Sequence, residues 1–451
     1  MTTAPLPRPM VLVEEESSWS LADKYLLWLS LILLGYAVDG RGFAYLFMGE
    51  LALVAGVILV PNLPGWTKVF QSPQILLLIP FWLWGMARSV PYWSQYHFDV
   101  VRDAMLWGYS AFAFIVAAML ISDPSRLFRV LWYYQRFTRW FLMLIPMITL
   151  IYRAFWSALP RWPWGGVPVV QEKEGDVLVH LAGIISFWIA GLDDIISPIW
   201  IALLAINVAV MGVIDRAGLL SFLAASGICA LCRPLHPIIW KMAGMAVVVV
   251  AALFVTDIHI AVPGGKHREI SFDQIVVNVQ SMFGADTGTD GLDSTKEWRI
   301  MWWREIRHYT LHGPYFWTGK GFGINLADDD GGLGKNGFQV LNDHSLRAPH
   351  SAHMDFLARE GVPGLALWMI MQLFWGASVF NAYIQSRMRN DLRWQAVFLF
   401  LLASWVAFII NMSFDVFLEG PMGGVWFWTY YGVGAAALWI YRNNPESLYA
   451  E

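Results

Sequence analysis

Long apolar stretches separated by short polar turns make up most of the chain. Twelve of these stretches approach the roughly 20 residues with which an α-helix crosses the hydrocarbon core of a bilayer. They lie near 24–38, 43–60, 73–88, 104–121, 128–151, 178–192, 198–214, 217–232, 238–256, 363–385, 394–413 and 423–441. The pattern predicts an all-α polytopic membrane protein with about twelve transmembrane helices.

The number of helices depends on how residues 178–214 are divided. The sequence GLDDIISPIW interrupts an apolar run there. Asp193, Asp194 and Pro198 are typical of a tight turn, because aspartate favours turns and proline cannot continue a helix. We therefore expect two helices in this region.

The charges of the short loops predict the orientation, because short loops rich in Lys and Arg tend to stay in the cytoplasm. Nine stretches precede the long polar segment that begins near residue 257, and nine is odd. With a cytoplasmic N-terminus, that segment is expected outside the cytoplasm. The short cytoplasmic loops and tail then carry Lys68, Arg126, Arg129, Arg233, Lys241, Arg387, Arg389, Arg393 and Arg442.

These patterns divide the chain into five parts. The polar, acidic leader with prolines, residues 1–23, is expected to be a cytoplasmic tail and not a cleaved signal peptide. The other parts are an N-terminal bundle of about nine spans over 24–256, a partly helical extracytoplasmic loop between helices 9 and 10 over 257–362, about three spans over 363–441 and a cytoplasmic tail over 442–451.

The composition agrees with a membrane protein and excludes other classes. The chain is 57% hydrophobic and 14% charged, and its 26 tryptophans suit the two bilayer interfaces. A net charge of −4 without a basic tract argues against nucleic acid as a partner. Cys229 and Cys232 lie in an apolar stretch, which favours two buried apolar side chains over a redox or metal pair.

Two patterns in the long loop suggest ligand sites but lack decisive residues. TGKGFG, residues 318–323, lacks the Ser or Thr that follows Lys in a phosphate-binding loop, so a glycine-rich turn is favoured. His308 and His312 are four residues apart, and the aspartates at 328–330 could complete a metal site. A solvated helix face and loop tip is the alternative, and we expect neither a metal nor a cofactor.

Two arginines lie in segments that could adjoin the membrane surface. Arg216 follows Asp215 between two spans, where a charge either anchors the helix at the interface or serves a functional cavity. Arg299 lies in EWRIMWWRE, which is either a binding surface for phosphate and sugar or an amphipathic helix at the interface.

Two histidines, His350 and His353, directly precede a predicted membrane helix in LRAPHSAHMDFLAREGVPGLALW. Imidazole titrates near neutral pH, so it suits proton transfer at a loop that meets the membrane surface. His353 lies about one helical turn after His350, which predicts that it supports His350 or packs beside it.

Four motifs in this order resemble the O-antigen ligase and polymerase superfamily of multi-pass bacterial glycosyltransferases. They are DRAGLL from Asp215, WRIMWW from Trp298, WTGKGFGINL from Trp317 and PHSAHMDFLAREGVPGL from Pro349. The resemblance covers roughly 199–441. The chain departs from the family pattern in having Asp215 in place of serine, and Arg359 where an acidic residue is common, with Glu360 following it.

The resemblance implies a GT-C-like fold and an inverting, metal-independent transfer of a glycan from an undecaprenyl-diphosphate carrier. It implies His350 as the catalytic base, and Arg216 and Arg299 as ligands of the donor diphosphate. Candidate accessory residues are His353, Arg304, Trp302, Arg88 and Arg102.

The implied partners are the lipid-linked donor, a glycan or lipid acceptor and membrane lipids, at the bacterial cytoplasmic (inner) membrane. A ligase is the leading interpretation, and an O-antigen or exopolysaccharide polymerase is its nearest alternative. A multi-pass solute transporter would also place charges in the membrane, but the two halves show no internal repeat. A non-catalytic envelope scaffold is a third class.

Overall fold

A computed structural model describes residues 19–449 except 164–165, 194–195, 235, 258, 262–268, 283–289 and 331–346. Most of the predicted N-terminal tail, Asp194 and parts of the glycine-rich loop segments lie outside the described residues.

The chain is helical, with one short antiparallel ladder between Ile260–Ala261 and Glu269–Ile270. The helices are α1 (Leu21–Asp39), α2 (Arg41–Ala44), α3 (Met48–Leu59), α4 (Pro73–Leu76), α5 (Leu78–Ser89), α6 (Trp93–Tyr96), α7 (Phe98–Gly108), α8 (Ala111–Ser122), α9 (Arg126–Phe155), α10 (Glu174–Ala190), α11 (Pro198–Ile214), α12 (Arg216–Cys232), α13 (Pro237–Thr256), α14 (Phe272–Met282), α15 (Asp290–Leu311), α16 (Leu326–Asp329), α17 (Ala352–Met388), α18 (Leu392–Phe414) and α19 (Pro421–Asn443). Short 3₁₀ helices cover Val60–Asn62, Trp66–Gln71, Val90–Tyr92 and Pro445–Leu448.

Every apolar stretch predicted from the sequence coincides with one helix or with a short series of helices. Among the described residues, five helices are long and apolar enough to cross a membrane, or six if the pair α7 and α8, bent by 44°, is one span. Shorter apolar helices accompany them, so the protein is a multi-pass membrane protein. The region 178–214 forms α10 and α11, separated by the turn that contains Asp193, as the pattern predicted.

Helix α10 lies at the centre of the bundle. Its residues from Gly175 to Ala190 are all buried, because it packs against both α12 and α18. Close packing is possible because small residues face these neighbours. A Cβ atom at Gly218 would lie 2.8 Å from Leu178, and one at Gly175 would lie 3.3 Å from Asp215 Oδ1. The starts of α10 and α12 therefore meet at one end of the bundle.

Helix α17 begins eleven residues before the predicted span (363 − 352), so the predicted loop boundary at 362 falls inside a helix. Ser351 caps its start by accepting a hydrogen bond from the Met354 amide at 3.5 Å. At Gly361 the backbone leaves the helical conformation, with φ 71° and ψ −168°. The sequence pattern located the apolar part of α17, and the structure adds the buried turns that precede it.

The loop after α15 packs onto this break. The amides of Lys320 and Gly321 donate to the Ala358 and Arg359 carbonyls at 2.7 and 2.9 Å, and the Val362 amide donates to the Phe316 carbonyl at 2.8 Å. The break frees backbone groups that a continuous helix would have paired, and the loop pairs them. Loop and membrane helix are thus joined through backbone hydrogen bonds.

A buried ion-pair network reinforces this junction. The Arg359 guanidinium lies 2.8 Å from Asp355 and 3.1 Å from Asp103, and Arg347 lies 2.9 Å from the same Asp103 carboxylate. Each charge has a partner of opposite sign, as burial requires. The network links α7, the end of the long loop and the first turns of α17.

We predict that Gly361→Ala lowers the thermal stability of the detergent-purified protein. A Cβ atom there would lie 2.6 Å from the Phe316 carbonyl oxygen, and the positive φ adds strain of about 1–3 kcal/mol for a residue other than glycine. Gly244→Ala is the matched control, because its Cβ atom has no neighbour within 4 Å. A melting temperature equal to that of the control would contradict the close fit.

Candidate active site

A polar cluster at the end of the bundle where α10 and α17 start contains His350, Asp415 and Lys173. His350 Nδ1 lies 3.5 Å from Asp415 Oδ1, and Lys173 Nζ lies 2.8 Å from Asp415 Oδ2. Lys173 also lies 3.1 Å from Asp176 and donates to the Val416 carbonyl. Three elements supply this chain of charges: the residue before α10, the residue after α18 and the loop before α17.

The backbone fixes His350 in an uncommon conformation. Its φ of 52° falls in the left-handed region, which histidine visits more readily than most residues. The Trp303 indole donates to the carbonyl of Pro349 at 2.7 Å, and the Trp298 ring meets the imidazole edge-on with centroids 5.5 Å apart. Helix α15 therefore positions His350 from one side, and Asp415 from another.

The electrostatics favour a neutral imidazole beside an ionised carboxylate. Burial lowers the pKa of His350 below its ordinary 6.5, and the positive charges of Arg299 and Lys173 add to this effect against the opposing pull of Asp415. Burial alone would raise the pKa of Asp415, but Lys173 and His350 outweigh it and hold that pKa below its usual value. Burial would likewise lower the pKa of Lys173, but the carboxylates of Asp176 and Asp415 raise it.

The ionised Asp415 carboxylate, 3.5 Å from Nδ1, is too far for a good hydrogen bond but favours the tautomer of His350 with its proton on that nitrogen. Nε2 then keeps its lone pair, as a general base requires. The His350 side chain is 23% exposed, so the ring is reachable from outside the cluster. Neutral His350 can therefore accept a proton at Nε2 without first giving one up.

Arg299, on α15, reaches the same cluster. Its Nη1 donates to the carbonyl of Phe414 at 2.7 Å, next to Asp415, and its charge contributes to the lowered pKa of His350. The structure therefore brings together two of the site residues predicted from the sequence, Arg299 and His350.

Arg216 is the first residue of α12. Asp215 before it caps the helix by accepting from the Gly218 amide at 2.6 Å. This carboxylate faces Gly175 and Asn411, so the start of α12 adjoins Lys173 and the end of α18. Asp215 thus has a local structural role at the position where the family commonly has serine, and Arg216 begins its helix at the same end of the bundle as the cluster.

His353 is engaged on both ring nitrogens. Its Nδ1 accepts from the Trp368 indole at 3.0 Å, so the proton of a neutral ring is on Nε2, 3.0 Å from Ser413 Oγ. Ser413 Oγ donates to the Ile409 carbonyl at 2.7 Å and is free to accept from His353. These bonds leave His353 no lone pair for a substrate, and they fix α17 against α18.

The accessory candidates lie in different surroundings. Trp302 is fully buried and donates to Asp330 at 2.5 Å, so it packs inside the loop and presents no face to a sugar. Arg88 donates to the Thr318 carbonyl at 2.6 Å and holds the glycine-rich turn. Arg102 pairs with Asp99 at 3.0 Å, and Arg304 is exposed on α15.

The glycine-rich turn and the aspartates at 328–330 interact with each other. Lys320 Nζ lies 2.7 Å from Asp329 and 2.5 Å from Asp330, and 4.2 Å from the centre of the Tyr309 ring. Lys320 thus pairs with two of the carboxylates that the sequence had offered as metal ligands. Within the described part of the chain, no group of three or more His, Cys, Asp or Glu side chains is arranged to hold a metal.

The sequence interpretation missed Lys173, Asp415 and Glu419. Burial and the Asp355 carboxylate raise the pKa of Glu419 well above its ordinary value. A signal was present, because EKEGD and SFDVFLEG place charges at the edges of apolar stretches, where charge is a functional candidate. Their distance in sequence from His350 concealed their association with it.

Comparison with known proteins identifies a family model that covers part of this site. Residues 200–369 match the family model Wzy_C, described as O-antigen ligase. The matched segment contains Arg216, Arg299 and His350. The match confirms the resemblance to this family that the four motifs predicted, and it makes the chain a glycosyltransferase-like membrane enzyme. No match was found among curated proteins.

We predict that Lys173→Met and Asp415→Asn are coupled in stability. Removing one partner of a buried ion pair costs about 3–5 kcal/mol because the other charge is left unpaired. The double variant should therefore lose less than the sum of the two single losses. Thermal unfolding of the four purified proteins measures this, and strictly additive losses would show that the 2.8 Å contact carries no interaction energy.

Proposed function

We propose that this chain, whose residues 200–369 carry an O-antigen ligase domain, transfers a glycan from undecaprenyl diphosphate to an acceptor outside the cytoplasm. The reaction is an inverting, metal-independent transfer of the ligase type. The observation that carries the proposal is the partly exposed His350 held beside an ionised Asp415, with Arg299 next to both.

In the proposed reaction His350 is the general base. An acceptor hydroxyl oxygen attacks the anomeric carbon of the donor sugar while His350 Nε2 takes the hydroxyl proton. The bond from the anomeric carbon to the diphosphate oxygen breaks, and the lipid diphosphate leaves with the electron pair. Because attack and departure occur on opposite faces of the sugar, the configuration at this carbon inverts.

Asp415 acts through His350. It favours the tautomer with the proton on Nδ1 and a free Nε2, and it stabilises the imidazolium that forms. Lys173 keeps Asp415 ionised and in place. His353 positions α17 against α18 and takes no proton.

Arg299 and Arg216 stabilise the leaving diphosphate. Guanidinium groups offer paired donors to phosphate oxygens, and fixed positive charge is most effective where charge develops during the reaction. Arg299 lies beside His350, and Arg216 begins α12 at the same end of the bundle. Two fixed cations can serve the diphosphate without a metal.

In this proposal the protein lies in the bacterial inner membrane and crosses it about twelve times. The shorter apolar helices then span the membrane together with the longer ones. In this orientation the end of the bundle where α10, α12 and α17 start and α18 ends faces the outside, and the site lies there. A lipid-linked donor presents its diphosphate at the same depth.

We predict that a deletion strain complemented with His350→Ala accumulates lipid-linked polymer with bare acceptor, as the deletion does. Loss of a general base should lower transfer by about 10²–10⁴-fold. His353→Ala, at equal membrane levels, should be milder. Accumulation of single repeat units would mean a polymerase, and near-normal transfer by His350→Ala would remove it from the role of base.

We predict that the rate of glycan transfer falls at acidic pH. Neutral His350 is the active form, so transfer by the purified enzyme should fall only as pH drops below 6.5, through the lowered pKa. Asp415 raises the pKa of His350, so Asp415→Asn should move this acid limb to lower pH as well as reduce the rate. A limb centred above 6.5 would contradict the assignment.

We predict that His312 faces the cell exterior and Arg389 the cytoplasm. Both are exposed, at the end of α15 and the end of α17. In a background with Cys229 and Cys232 replaced, His312→Cys should react with an impermeant maleimide in intact cells, and Arg389→Cys only after lysis. The reverse pattern would invert the proposed orientation.

A further inference from the structure

A small polar pocket lies at the end of the bundle opposite the active site. It has a volume of about 130 Å³, and its walls come from residues 71–74 at the start of α4 and from the end of α19. Helix α19 begins at Pro421, six residues after Asp415 (421 − 415), and its 23 residues cover about 35 Å. The end of α19 therefore lies at the other surface of the membrane, because the hydrocarbon core is about 30 Å thick.

The pocket offers a positive charge and a buried hydrogen-bond donor. Arg442 supplies the charge from the exposed last turn of α19. Gln74 is 1% exposed, and its Nε2 has no hydrogen-bond partner among the described residues, whereas its Oε1 accepts from the Ser72 hydroxyl at 3.1 Å. None of the described residues that line the pocket is acidic. A buried donor without a partner costs free energy, so a ligand with acceptor oxygens would stabilise this arrangement.

Hydrogen bonds hold the walls of the pocket in place. The Tyr431 hydroxyl of α19 donates to the Gln74 carbonyl at 3.3 Å, and the Trp439 indole donates to Gln71 Oε1 at 3.2 Å. The Asn443 side chain donates to the Trp439 carbonyl at 2.8 Å. The start of α4 is thus fixed against α19, and the pocket is formed before any ligand binds.

An exposed apolar stripe leads from the pocket along the membrane span. Its members share one helix face at intervals of three and four residues: Pro73, Leu76, Pro80 and Leu83. They belong to the candidate span Pro73–Tyr96, and Pro73 also lines the pocket. Leu76 is 42% exposed and Leu83 is 59% exposed. The stripe therefore faces lipid chains, and the pocket lies where the headgroups of those lipids would be.

We propose that this pocket binds the phosphate of an anionic phospholipid, with the acyl chains of that lipid along the stripe. The phosphate oxygens accept from Gln74 Nε2 and from the Arg442 guanidinium, which pairs strongly with phosphate. The negative charge of the lipid is attracted to Arg442 at the membrane surface. The adjoining stripe favours a lipid over a free phosphate ion. In the proposed orientation the lipid belongs to the cytoplasmic leaflet, and it fixes the start of α4 against α19.

Native mass spectrometry of the full-length protein, purified in detergent and stripped of lipid, tests this proposal. The dissociation constant of the first bound phosphatidylglycerol is measured for wild type, Arg442→Gln and Gln74→Met. Methionine keeps the approximate volume of glutamine but removes the amide. Arg387→Gln is the matched control, because Arg387 is an exposed arginine at the same end of the bundle, on α17, and does not line the pocket.

We expect the dissociation constant to rise at least about tenfold in Arg442→Gln, because a charged donor to the phosphate is lost. Gln74→Met should weaken binding by a smaller factor, and Arg387→Gln should bind as wild type. Arg442 is exposed, so its replacement should leave the melting temperature of the lipid-free protein unchanged. Arg442→Gln therefore decides the test even if Gln74→Met is unstable.

Equal affinity of wild type and Arg442→Gln for phosphatidylglycerol would overturn the proposal. Equal affinity of wild type for phosphatidylcholine would also overturn it, since the pocket would then not recognise negative charge. Displacement of the bound lipid by excess inorganic phosphate would assign the pocket to a free anion. None of these measurements involves glycan transfer, so their outcome is independent of the proposed function.

Discussion

The structure depends on the compensation of charge buried where the membrane bundle meets the long loop. Lys173, Asp176, Asp415 and His350 gather at the ends of helices that are otherwise apolar. A charge in such a place is tolerated only with a partner of opposite sign, and Lys173 is that partner for both Asp176 and Asp415. Because the partners come from α10, α18 and the loop before α17, the network also specifies how these elements pack.

In the proposed mechanism, the same pairing of charges sets the protonation states of Asp415 and His350. Lys173 keeps Asp415 ionised, and Asp415 orients an imidazole that burial and two nearby cations keep neutral. A base that is neutral, oriented and partly exposed follows from the electrostatics needed to fold this end of the bundle. Stability and reactivity therefore share the same residues, and a change in one of them should alter both.

The break at Gly361 joins the two halves of the site. Helix α17 carries the residues after His350 into the membrane, and the break lets the loop at 316–321 bond to its backbone. Arg359 and Glu360, next to the break, are fully or almost fully buried. Asp355 and Asp103 pair with Arg359, so the positive charge at this departure from the family pattern is compensated locally.

The sequence alone determined the helices, because a span must be apolar over a definite length and its ends must be polar. It also predicted His350 and Arg299 as site residues, since their motifs are local, and the structure brings these two residues together. The partners of His350 could not be read from it: Lys173 lies 177 residues before it (350 − 173) and Asp415 65 residues after it (415 − 350). Only the packing of α10 against α18 brings these charges together. Tertiary structure likewise buried Trp302 in the loop and paired both ring nitrogens of His353 with neighbouring side chains. These contacts depend on which side chains face one another in the folded chain, and a local motif does not specify that.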